Sequence, residues 1–263
     1  MKPIRVVVNG ASGRMGREVI NALCREPGTQ VVGAVELQVT EDQLPLPDSS
    51  GVVPFSSNLD DILTSCQPDV LVDFTTARAT MPAVRIATKR GVNLVIGTTG
   101  LTADEINEIE QLSIGCQVGA VVAPNFALGA VVMMHLAKVA ARYFDYAEII
   151  ELHHNRKADS PSGTALSTAK AMAAAKGKPF YFPEQKKPSN SRGQQVEGVT
   201  LHSVRLPGLM AHQEIIMGGP GQTLSIRHDT INRECYMPGV ILAIKEVVKH
   251  KGLIYGLDKL LGL

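Results

Sequence analysis

Two adjacent histidines followed by a lysine and an aspartate form the strongest chemical signal in the sequence. His153, His154, Lys157 and Asp159 lie within residues 151–165, which read Glu-Leu-His-His-Asn-Arg-Lys-Ala-Asp-Ser-Pro-Ser-Gly-Thr-Ala. Histidine changes its charge near neutral pH, so it is suited to proton transfer, and lysine carries a positive charge that attracts anions. The stretch therefore predicts an anion-binding site with a titratable group beside it.

A helix start follows the histidines. Ser160-Pro161-Ser162 precedes Gly163, Thr164 and an alanine-rich run that ends at Lys176, and a serine before a proline in the first turn is typical of a helix N-terminus. The first N–H groups of a helix have no partner within it and lie at its positive end, so they favour a carboxylate. Gly163 would let this ligand approach closely, and Thr164 would add a hydroxyl group.

The same fifteen residues closely resemble the signature of the dihydrodipicolinate reductase (4-hydroxy-tetrahydrodipicolinate reductase) family. The family pattern is Glu-x-His-His-x-x-Lys-x-Asp-x-Pro-Ser-Gly-Thr-Ala, and the sequence matches it at Glu151, His153, His154, Lys157, Asp159, Pro161, Ser162, Gly163, Thr164 and Ala165. The resemblance implies an oxidoreductase that uses NADH, NADPH or both. Its substrate would be a small cyclic dicarboxylate, 4-hydroxy-tetrahydrodipicolinate, which loses water and is reduced to tetrahydrodipicolinate in the diaminopimelate route to lysine.

The chemistry of that reduction assigns roles to the signature residues. Hydride addition leaves negative charge on the ring, and a proton must follow. His153 and Lys157 are the nearby groups able to deliver a proton near neutral pH, so we expect them to be catalytic. We expect His154, Lys157, Gly163 and Thr164 to bind the substrate carboxylates. After Ser203-Val204-Arg205 the sequence departs from many family members, and we expect this departure to affect the nearby loop but no catalytic residue.

A glycine-rich turn near the N-terminus predicts where the cofactor binds. Ile4–Val8 reads as a buried strand, glycines follow at positions 10, 13 and 16, and a helix is predicted to run to about Arg25. A strand, a glycine turn and a helix are the context of a dinucleotide-binding fingerprint. We expect cofactor contacts from Gly10, Ala11, Ser12, Gly13, Arg14 and Met15.

Glu36 follows the predicted strand Val31–Val35 at the position where an acid binds the adenosine ribose of the cofactor. A carboxylate disfavours the 2′-phosphate of NADPH, and Leu37 cannot supply the cation that would compensate. Arg14, which lies in the glycine turn, could reach the adenosine side. We therefore expect both cofactors to work, with NADH preferred by less than ~100-fold.

Strands alternate with helices up to about residue 126, which predicts an α/β fold with a Rossmann-type, doubly wound parallel sheet. Residues 38–57 read as a surface loop. Polar turns at 73–76, 97–100 and 123–126 fall at the carboxyl ends of predicted strands, where ligands bind in such sheets. The resemblance assigns two of these turns to the nicotinamide end of the cofactor, through Gly97, Thr98, Thr99, Ala123, Pro124, Asn125 and Phe126.

The C-terminal half differs in character. A long apolar helix over 127–143 is expected to be buried, and residues 178–195 read as a loop. Short strands with tight turns then predict a smaller α+β domain with a mixed or antiparallel sheet. We expect a dinucleotide-binding domain at 1–126 and a substrate-binding and oligomerisation domain at 127–235. The resemblance implies that helices in 236–263 return to the first domain and that four copies assemble through the C-terminal sheet into a homotetramer.

Composition limits the classes of partner. The chain of 263 residues has a net charge of +1, so nothing predicts binding to nucleic acid or to a membrane surface. No apolar run approaches the ~20 residues that span a bilayer, and no signal peptide is expected at Lys2-Pro3. Cys24, Cys66, Cys116 and Cys235 have no paired spacing, which indicates buried thiols in the cytoplasm.

Three other functions fit parts of the sequence. A metal-dependent hydrolase could use His153, His154 and Asp159, although no further His or Cys clusters with them and we expect no metal. A non-catalytic nucleotide sensor would need the glycine turn but not the His-His signature. Another two-domain oxidoreductase acting on a small dicarboxylate would lack the anion site at Gly163.

Overall fold

The structure is a computed structural model that describes residues 2–183 and 190–263. The chain forms two compact units. Unit 1 comprises Met1–Leu128 and Arg233–Leu263, and unit 2 comprises Gly129–Asn232. Unit 1 is therefore built from two separated parts of the chain. In the described residues, no helix combines the length and the apolar character needed to cross a membrane.

The elements are numbered along the chain. The strands are β1 Ile4–Asn9, β2 Thr29–Val35, β3 Gln43–Pro45, β4 Val52–Ser56, β5 Val70–Asp73, β6 Asn93–Ile96, β7 Gly119–Val122, β8 Tyr146–His153, β9 Gln194–Val196, β10 Val199–Arg205, β11 Ala211–Gly219, β12 Gln222–Thr230 and β13 Gly252–Tyr255. The helices are α1 Arg14–Arg25, α2 Leu59–Cys66, α3 Ala77–Lys89, α4 Ala103–Gly115, α5 Leu128–Ala140, α6 Gly163–Lys176, α7 Met237–Val247 and α8 Leu257–Leu261.

Unit 1 contains one sheet in the order β13-β7-β6-β5-β1-β2-β4-β3. Neighbouring strands are parallel except β3 and β4, which are antiparallel. Val6, Val7 and Val8 of β1 are 0% exposed, because helices cover both faces of a doubly wound sheet. The predicted Rossmann-type parallel sheet is confirmed.

Polar side chains cap the first turns of two helices in unit 1. The side chain of Asn58 accepts hydrogen bonds from the N–H groups of Asp60 and Asp61 at the start of α2. Thr102 and Glu105 form a reciprocal capping box at the start of α4. These local hydrogen bonds fix the residues at which both helices begin.

Two parts of unit 1 differ from the prediction. Residues 38–57, expected to be a surface loop, contain β3 and β4, and β4 extends the parallel sheet beside β2. β13 was not predicted and pairs with β7 at the opposite edge. Both edges are built from strands of three to five residues, which are too short to show a clear periodicity.

Unit 2 contains one sheet in the order β12-β11-β8-β10-β9. β8 and β10 are parallel and the other neighbours are antiparallel, so the predicted mixed sheet is confirmed. One face of the sheet packs against α5 and α6 through a core that includes Ile149, Met172 and Ile215, each 0% exposed. This packing sets the start of α6 near the end of β8.

The prediction that the 127–143 helix is buried was wrong for one side of α5. Met133 and Ala137 are buried, whereas Leu136 is 47% and Val139 46% exposed. Apolar residues occur on both sides of this helix, so its composition could not show which side faces the core.

The predicted loop over 178–195 is described only in part. Residues 184–189 lie outside the described residues, and β9 already begins at Gln194 within the predicted loop. Of the four cysteines, Cys66 is buried, while Cys24, Cys116 and Cys235 are only partly buried, and all four are free thiols.

Candidate active site

The glycine turn of unit 1 is fastened to the end of β2. The N–H groups of Gly10 and Ala11 donate to the carbonyl oxygen of Val35 over 2.9 and 3.0 Å. α1 then begins at Arg14, with Gly13 as its N-terminal cap. The N–H groups of Arg14 and Met15 lie in this first turn. The first N–H groups of a helix have no acceptor within the helix, so they can donate to a phosphate.

Two of the glycines are required by the backbone. Gly10 has a φ of 78°, in the left-handed region that favours glycine. A Cβ at Gly16 would overlap the carbonyl oxygen of Gly10, so only glycine lets α1 lie this close to the turn. A tight turn followed by close packing of the helix is the geometry of a dinucleotide site. The turn therefore fits the pyrophosphate of NADH or NADPH.

Glu36 lies directly beside this turn. One carboxylate oxygen accepts from the N–H of Ser12 and the other from the N–H of Leu37, each over 3.0 Å. The predicted ribose-binding acid is thus brought to the glycine turn. The side chain of Leu37 is 87% exposed and contributes no charge.

A buried carboxylate that the sequence analysis did not assign connects the carboxyl ends of β1, β5 and β6. Asp73 is 1% exposed and accepts from the side chains of Asn9 (2.7 Å), Thr80 (3.0 Å) and Thr98 (2.8 Å). It also accepts from the N–H and hydroxyl groups of Thr75, over 3.0 and 2.8 Å. Asp73 therefore holds together the turns that follow three neighbouring strands.

The turns assigned to the nicotinamide present some predicted residues and bury others. Thr99 and Pro124 are exposed, and Asn125 is partly exposed. In contrast, Thr98, Ala123 and Phe126 are buried, with exposed fractions of 5%, 1% and 2%. These three side chains pack beneath the turns and contribute to their conformation, not to their exposed surface.

Phe74 explains why position 97 is a glycine. A Cβ at Gly97 would overlap the Phe74 ring, which also packs against Phe126 with 5.5 Å between the ring centroids. The close approach of this ring holds the 97–100 turn against the sheet.

In unit 2, β8 ends at His153, so the strand ends between the two histidines. His153 lies on the same face of β8 as Glu151, since alternate residues of a strand share a face. Its Nδ1 atom forms a hydrogen bond with the Glu151 carboxylate, and the His153 side chain is 15% exposed. His154 follows in the turn and is partly buried.

Glu151 is the buried centre of this site. It is 0% exposed and forms a two-pronged ion pair with Arg205, whose Nη1 and Nη2 atoms donate over 2.9 and 2.8 Å. Burial alone would raise the pKa of Glu151, but hydrogen bonds from His153 and Arg205 outweigh it and lower the pKa to about 2. Glu151 is therefore ionised at any pH near neutrality.

Neither Glu151 nor Arg205 was assigned a role from the sequence. The signal was present in part, because Glu151 opens the family signature, but Arg205 lies 54 positions along the chain. Arg205 precedes the stretch in which the sequence departs from many family members. The departure itself begins after Arg205, at Leu206, while Arg205 reaches His153 through Glu151.

The start of α6 lies beside this cluster. The Ser162 hydroxyl caps the helix by accepting from the N–H of Ala165 over 3.2 Å, and the N–H of Ser162 donates to Glu151 over 3.2 Å. Pro161 thus precedes the cap, which corrects the expectation that it lies in the first turn. A Cβ at Gly163 would meet no atom within 4 Å, so there is open space for a ligand at this helix end.

Lys157 lies in the loop between β8 and α6. Its Nζ atom pairs with Asp159 over 2.7 Å, and this hydrogen bond lowers the pKa of Asp159. Nη2 of Arg205 donates to the carbonyl oxygen of Asp159 over 2.7 Å. The loop that carries Lys157 is therefore tied to the same arginine that holds Glu151.

The described residues offer no site for a metal. Within residues 2–183 and 190–263, no group of three or more His, Cys, Asp or Glu side chains could hold an ion. The observed partners of His153 are a carboxylate and, through it, a guanidinium. This arrangement suits a proton donor beside a site for anions.

Comparisons with known proteins agree along the whole chain. A family model described as "Dihydrodipicolinate reductase, N-terminus" matches residues 4–126, and one described as "Dihydrodipicolinate reductase, C-terminus" matches residues 129–261. A 4-hydroxy-tetrahydrodipicolinate reductase from Dehalococcoides mccartyi is 57% identical over 263 residues, which is 100% of both chains. One from Moorella thermoacetica is 51% identical over 262 residues, 98% of each chain.

A solved structure is also similar. It is described as a dipicolinate-bound dihydrodipicolinate reductase from Paenisporosarcina sp. TG-14 and is 38% identical to this chain. The TM-score is 0.86, and the match covers 98% of this chain and 99% of the other.

Proposed function

The chain belongs to the dihydrodipicolinate reductase family, and from this membership we propose how its residues divide the work of the family's reaction. The protein is an NAD(P)H-dependent oxidoreductase that reduces 4-hydroxy-tetrahydrodipicolinate to tetrahydrodipicolinate in lysine biosynthesis by the diaminopimelate pathway. One NAD(P)H and one proton are consumed, and the ring hydroxyl leaves as water. The observation that carries the proposal is the His153–Glu151–Arg205 cluster beside the open start of α6.

Unit 1 binds the cofactor in this proposal. The N–H groups at the start of α1 hold the pyrophosphate, and Glu36 accepts from the adenosine ribose hydroxyls. The turns that follow β6 and β7 line the nicotinamide. When bound, NADH or NADPH supplies the hydride, so the protein needs no nucleophile.

In this proposal unit 2 supplies the proton donor and the positive charge that stabilises the developing negative charge on the ring. Hydride addition leaves negative charge on the ring, which takes up a proton from His153. Lys157 stabilises that charge as it develops. The Lys157 Nζ atom lies 2.7 Å from a carboxylate oxygen of Asp159. This ion pair holds the ammonium group in place until the substrate binds.

Two electropositive groups hold the two substrate carboxylates. The N–H groups of Gly163 and Thr164 bind one of them at the start of α6, and Lys157 and His154 bind the other. The similar structure from Paenisporosarcina was solved with dipicolinate, a ring that carries two carboxylates, which supports a substrate of this shape.

We propose that four copies form a homotetramer through the sheet of unit 2. α5 and α6 pack on one face of this sheet. On the other face, Ile150, Leu152 and Ile216 are only partly buried within the single chain. Apolar side chains on an open sheet face are stabilised when another sheet covers them.

The free thiols of all four cysteines support a reducing compartment, and we place the enzyme in the cytoplasm.

A coupled assay tests the function. Pyruvate, aspartate semialdehyde and the preceding synthase generate the substrate, and the fall in NADH or NADPH absorbance reports the reduction. We expect His153→Gln and Lys157→Ala each to lower turnover by ~10²-fold or more, the usual range for a lost general acid, with little change in melting temperature.

Matched control variants remove a lysine or a histidine outside the proposed site, so they separate the loss of a catalytic group from the loss of a charged side chain in general. Lys249 pairs with Glu246 over 2.7 Å, as Lys157 pairs with Asp159, so Lys249→Ala should keep full turnover. His250→Gln, in unit 1, serves the same purpose for His153. Nearly normal turnover in both active-site variants would refute the assigned roles, and nucleotide binding without any turnover in the unaltered protein would favour a nucleotide sensor.

A further inference from the structure

We infer that Glu151, held in place by Arg205, is a positioning residue that fixes the proton of His153 on Nδ1, so that Nε2 is the nitrogen that gives the proton to the substrate. The inference rests on the proposed role of His153 as the acid. It concerns two residues, Glu151 and Arg205, whose side chains need not touch the substrate.

The first argument is the chemistry of the acceptor. An ionised carboxylate only accepts hydrogen bonds, and Glu151 forms one with Nδ1 of His153. Nδ1 must therefore carry a hydrogen whether the imidazole ring is neutral or charged. The proton that His153 gains and loses is then confined to Nε2.

The second argument is that Glu151 cannot turn away. Its two oxygens accept from both terminal nitrogens of Arg205 over 2.9 and 2.8 Å, and Oε1 also accepts from the N–H of Ser162 over 3.2 Å. A planar guanidinium that meets a carboxylate at two points fixes its plane as well as its position. The imidazole of His153 is thereby aligned from β10 and from the start of α6.

The third argument is that Arg205 has no more freedom than Glu151. Its Nη1 atom also donates to the carbonyl oxygen of Val204 over 2.8 Å, and its Nη2 atom to that of Asp159 over 2.7 Å. One arginine therefore sets the orientation of His153, through Glu151, and the path of the loop that carries Lys157.

Glu151→Gln is an informative change because it keeps the size of the side chain and replaces one oxygen by a donor. If the new NH₂ group took the place of Oε1, it would face two donors, Arg205 and the N–H of Ser162. At the place of Oε2 it faces Arg205 and Nδ1 of His153, and only Nδ1 can become an acceptor. We expect the amide to donate to Nδ1 and to move the proton of the neutral ring to Nε2.

The decisive measurement is made on the unaltered protein, so it does not depend on whether any variant folds. Nitrogen NMR of protein labelled with ¹⁵N-histidine distinguishes the two neutral tautomers, and the missing signals of His153→Gln identify His153. We expect the neutral ring to carry its proton on Nδ1. A neutral His153 with its proton on Nε2 would overturn the inference.

Kinetics of the variants supply the second test. We expect Glu151→Gln to lower kcat by ~10²-fold or more, while KM changes far less. An amide that donates to Nδ1 disfavours the doubly protonated ring, which is the form that gives up its Nε2 proton. Glu151→Asp keeps an acceptor-only group and should recover part of kcat. Glu108→Gln, which breaks an exposed two-pronged pair with Arg85, is the matched control and should leave kcat unchanged.

The outcomes separate this inference from the proposed function. If His153→Gln loses activity but Glu151→Gln keeps both the normal kcat and the Nδ1 proton, the function stands and the inference fails. If the unaltered protein does not reduce the substrate, the function fails, and the NMR measurement still decides whether Glu151 sets the tautomer.

Discussion

At the scale of single residues, we expect the pair Glu36 and Leu37 to decide how the protein binds the adenosine ribose of the cofactor. The Glu36 carboxylate is already drawn to the glycine turn by the N–H of Ser12. The next side chain is 87% exposed and apolar, so it places no positive charge beside a 2′-phosphate. A carboxylate with no cation at the next position favours NADH, but only by the energy of a single exposed electrostatic contact.

Leu37→Arg should therefore shift the cofactor preference toward NADPH. We expect the ratio of kcat/KM for NADPH to that for NADH to rise by about tenfold, equivalent to ~1.4 kcal/mol, since the guanidinium pairs with the 2′-phosphate. Steady-state rates with each cofactor measure the ratio. Leu37→Met, which adds no charge, is the control, and an arginine variant with an unchanged ratio would show that these positions do not set the preference.

At the scale of elements, the Asp73 carboxylate joins the carboxyl ends of β1, β5 and β6 through hydrogen bonds. Asn9 of β1, Asp73 of β5 and Thr98, which follows β6, meet here. In the part of the chain that the structure describes, no cationic side chain donates to this carboxylate. Its charge is balanced by donors that are themselves fixed by the sheet. The 97–100 turn, one of the two assigned to the nicotinamide, is therefore held through Thr98 before any cofactor binds.

Asp73→Asn should destabilise unit 1 and weaken cofactor binding together. The new NH₂ group would face donors where the carboxylate oxygen had accepted from them, at a cost of about 2–3 kcal/mol for a buried charged acceptor. Urea unfolding and NADH titration measure the two effects. Asp69→Asn is the control, because Asp69 is exposed at the other end of β5 and accepts from the N–H of Arg5 over 2.8 Å. A stable variant with normal NADH affinity would contradict this role.

The elements also show where sequence reasoning succeeds. The central strands and the helix starts could be predicted because buried valine runs and capping residues are local signals, as at Val6–Val8 and Asn58. β3 and β13 could not, because a strand of three or four residues acquires its identity from the partner that it pairs with. The anion site was predicted from the signature and stays a prediction, whereas the Glu151–Arg205 pair is a contact between distant segments that no local pattern could predict.

At the scale of the whole molecule, the open sheet face of unit 2 is the main feature that a single chain leaves unexplained. Ile216 lies opposite Glu148 on β8 and opposite Ser225 on β12, on the face away from α5 and α6. Partly buried isoleucine and leucine side chains among charged ones are typical of a surface that another protein surface covers.

Ile216→Glu should therefore dissociate the proposed homotetramer. A carboxylate placed in the contact, beside Glu148, would add like-charge repulsion and lose its water on assembly. Sedimentation should show four times the chain mass of 28.1 kDa for the unaltered protein and a smaller species for the variant. Ile114→Glu, at a 50% exposed position in unit 1, should change nothing. A monomer of 28.1 kDa in the unaltered protein would end this proposal.

The pairing of β13 with β7 has a consequence for biosynthesis. Gly252 of β13 lies beside Gly119 of β7, yet all of unit 2 is made by the ribosome between these two strands. During synthesis β7 therefore remains an unpaired edge strand of the sheet while more than a hundred residues emerge from the ribosome. Unit 2 is continuous in the chain and is complete before β13 is synthesised, so it has the earlier opportunity to fold. The glycine turn is synthesised before unit 2, but the sheet that supports it is completed after unit 2.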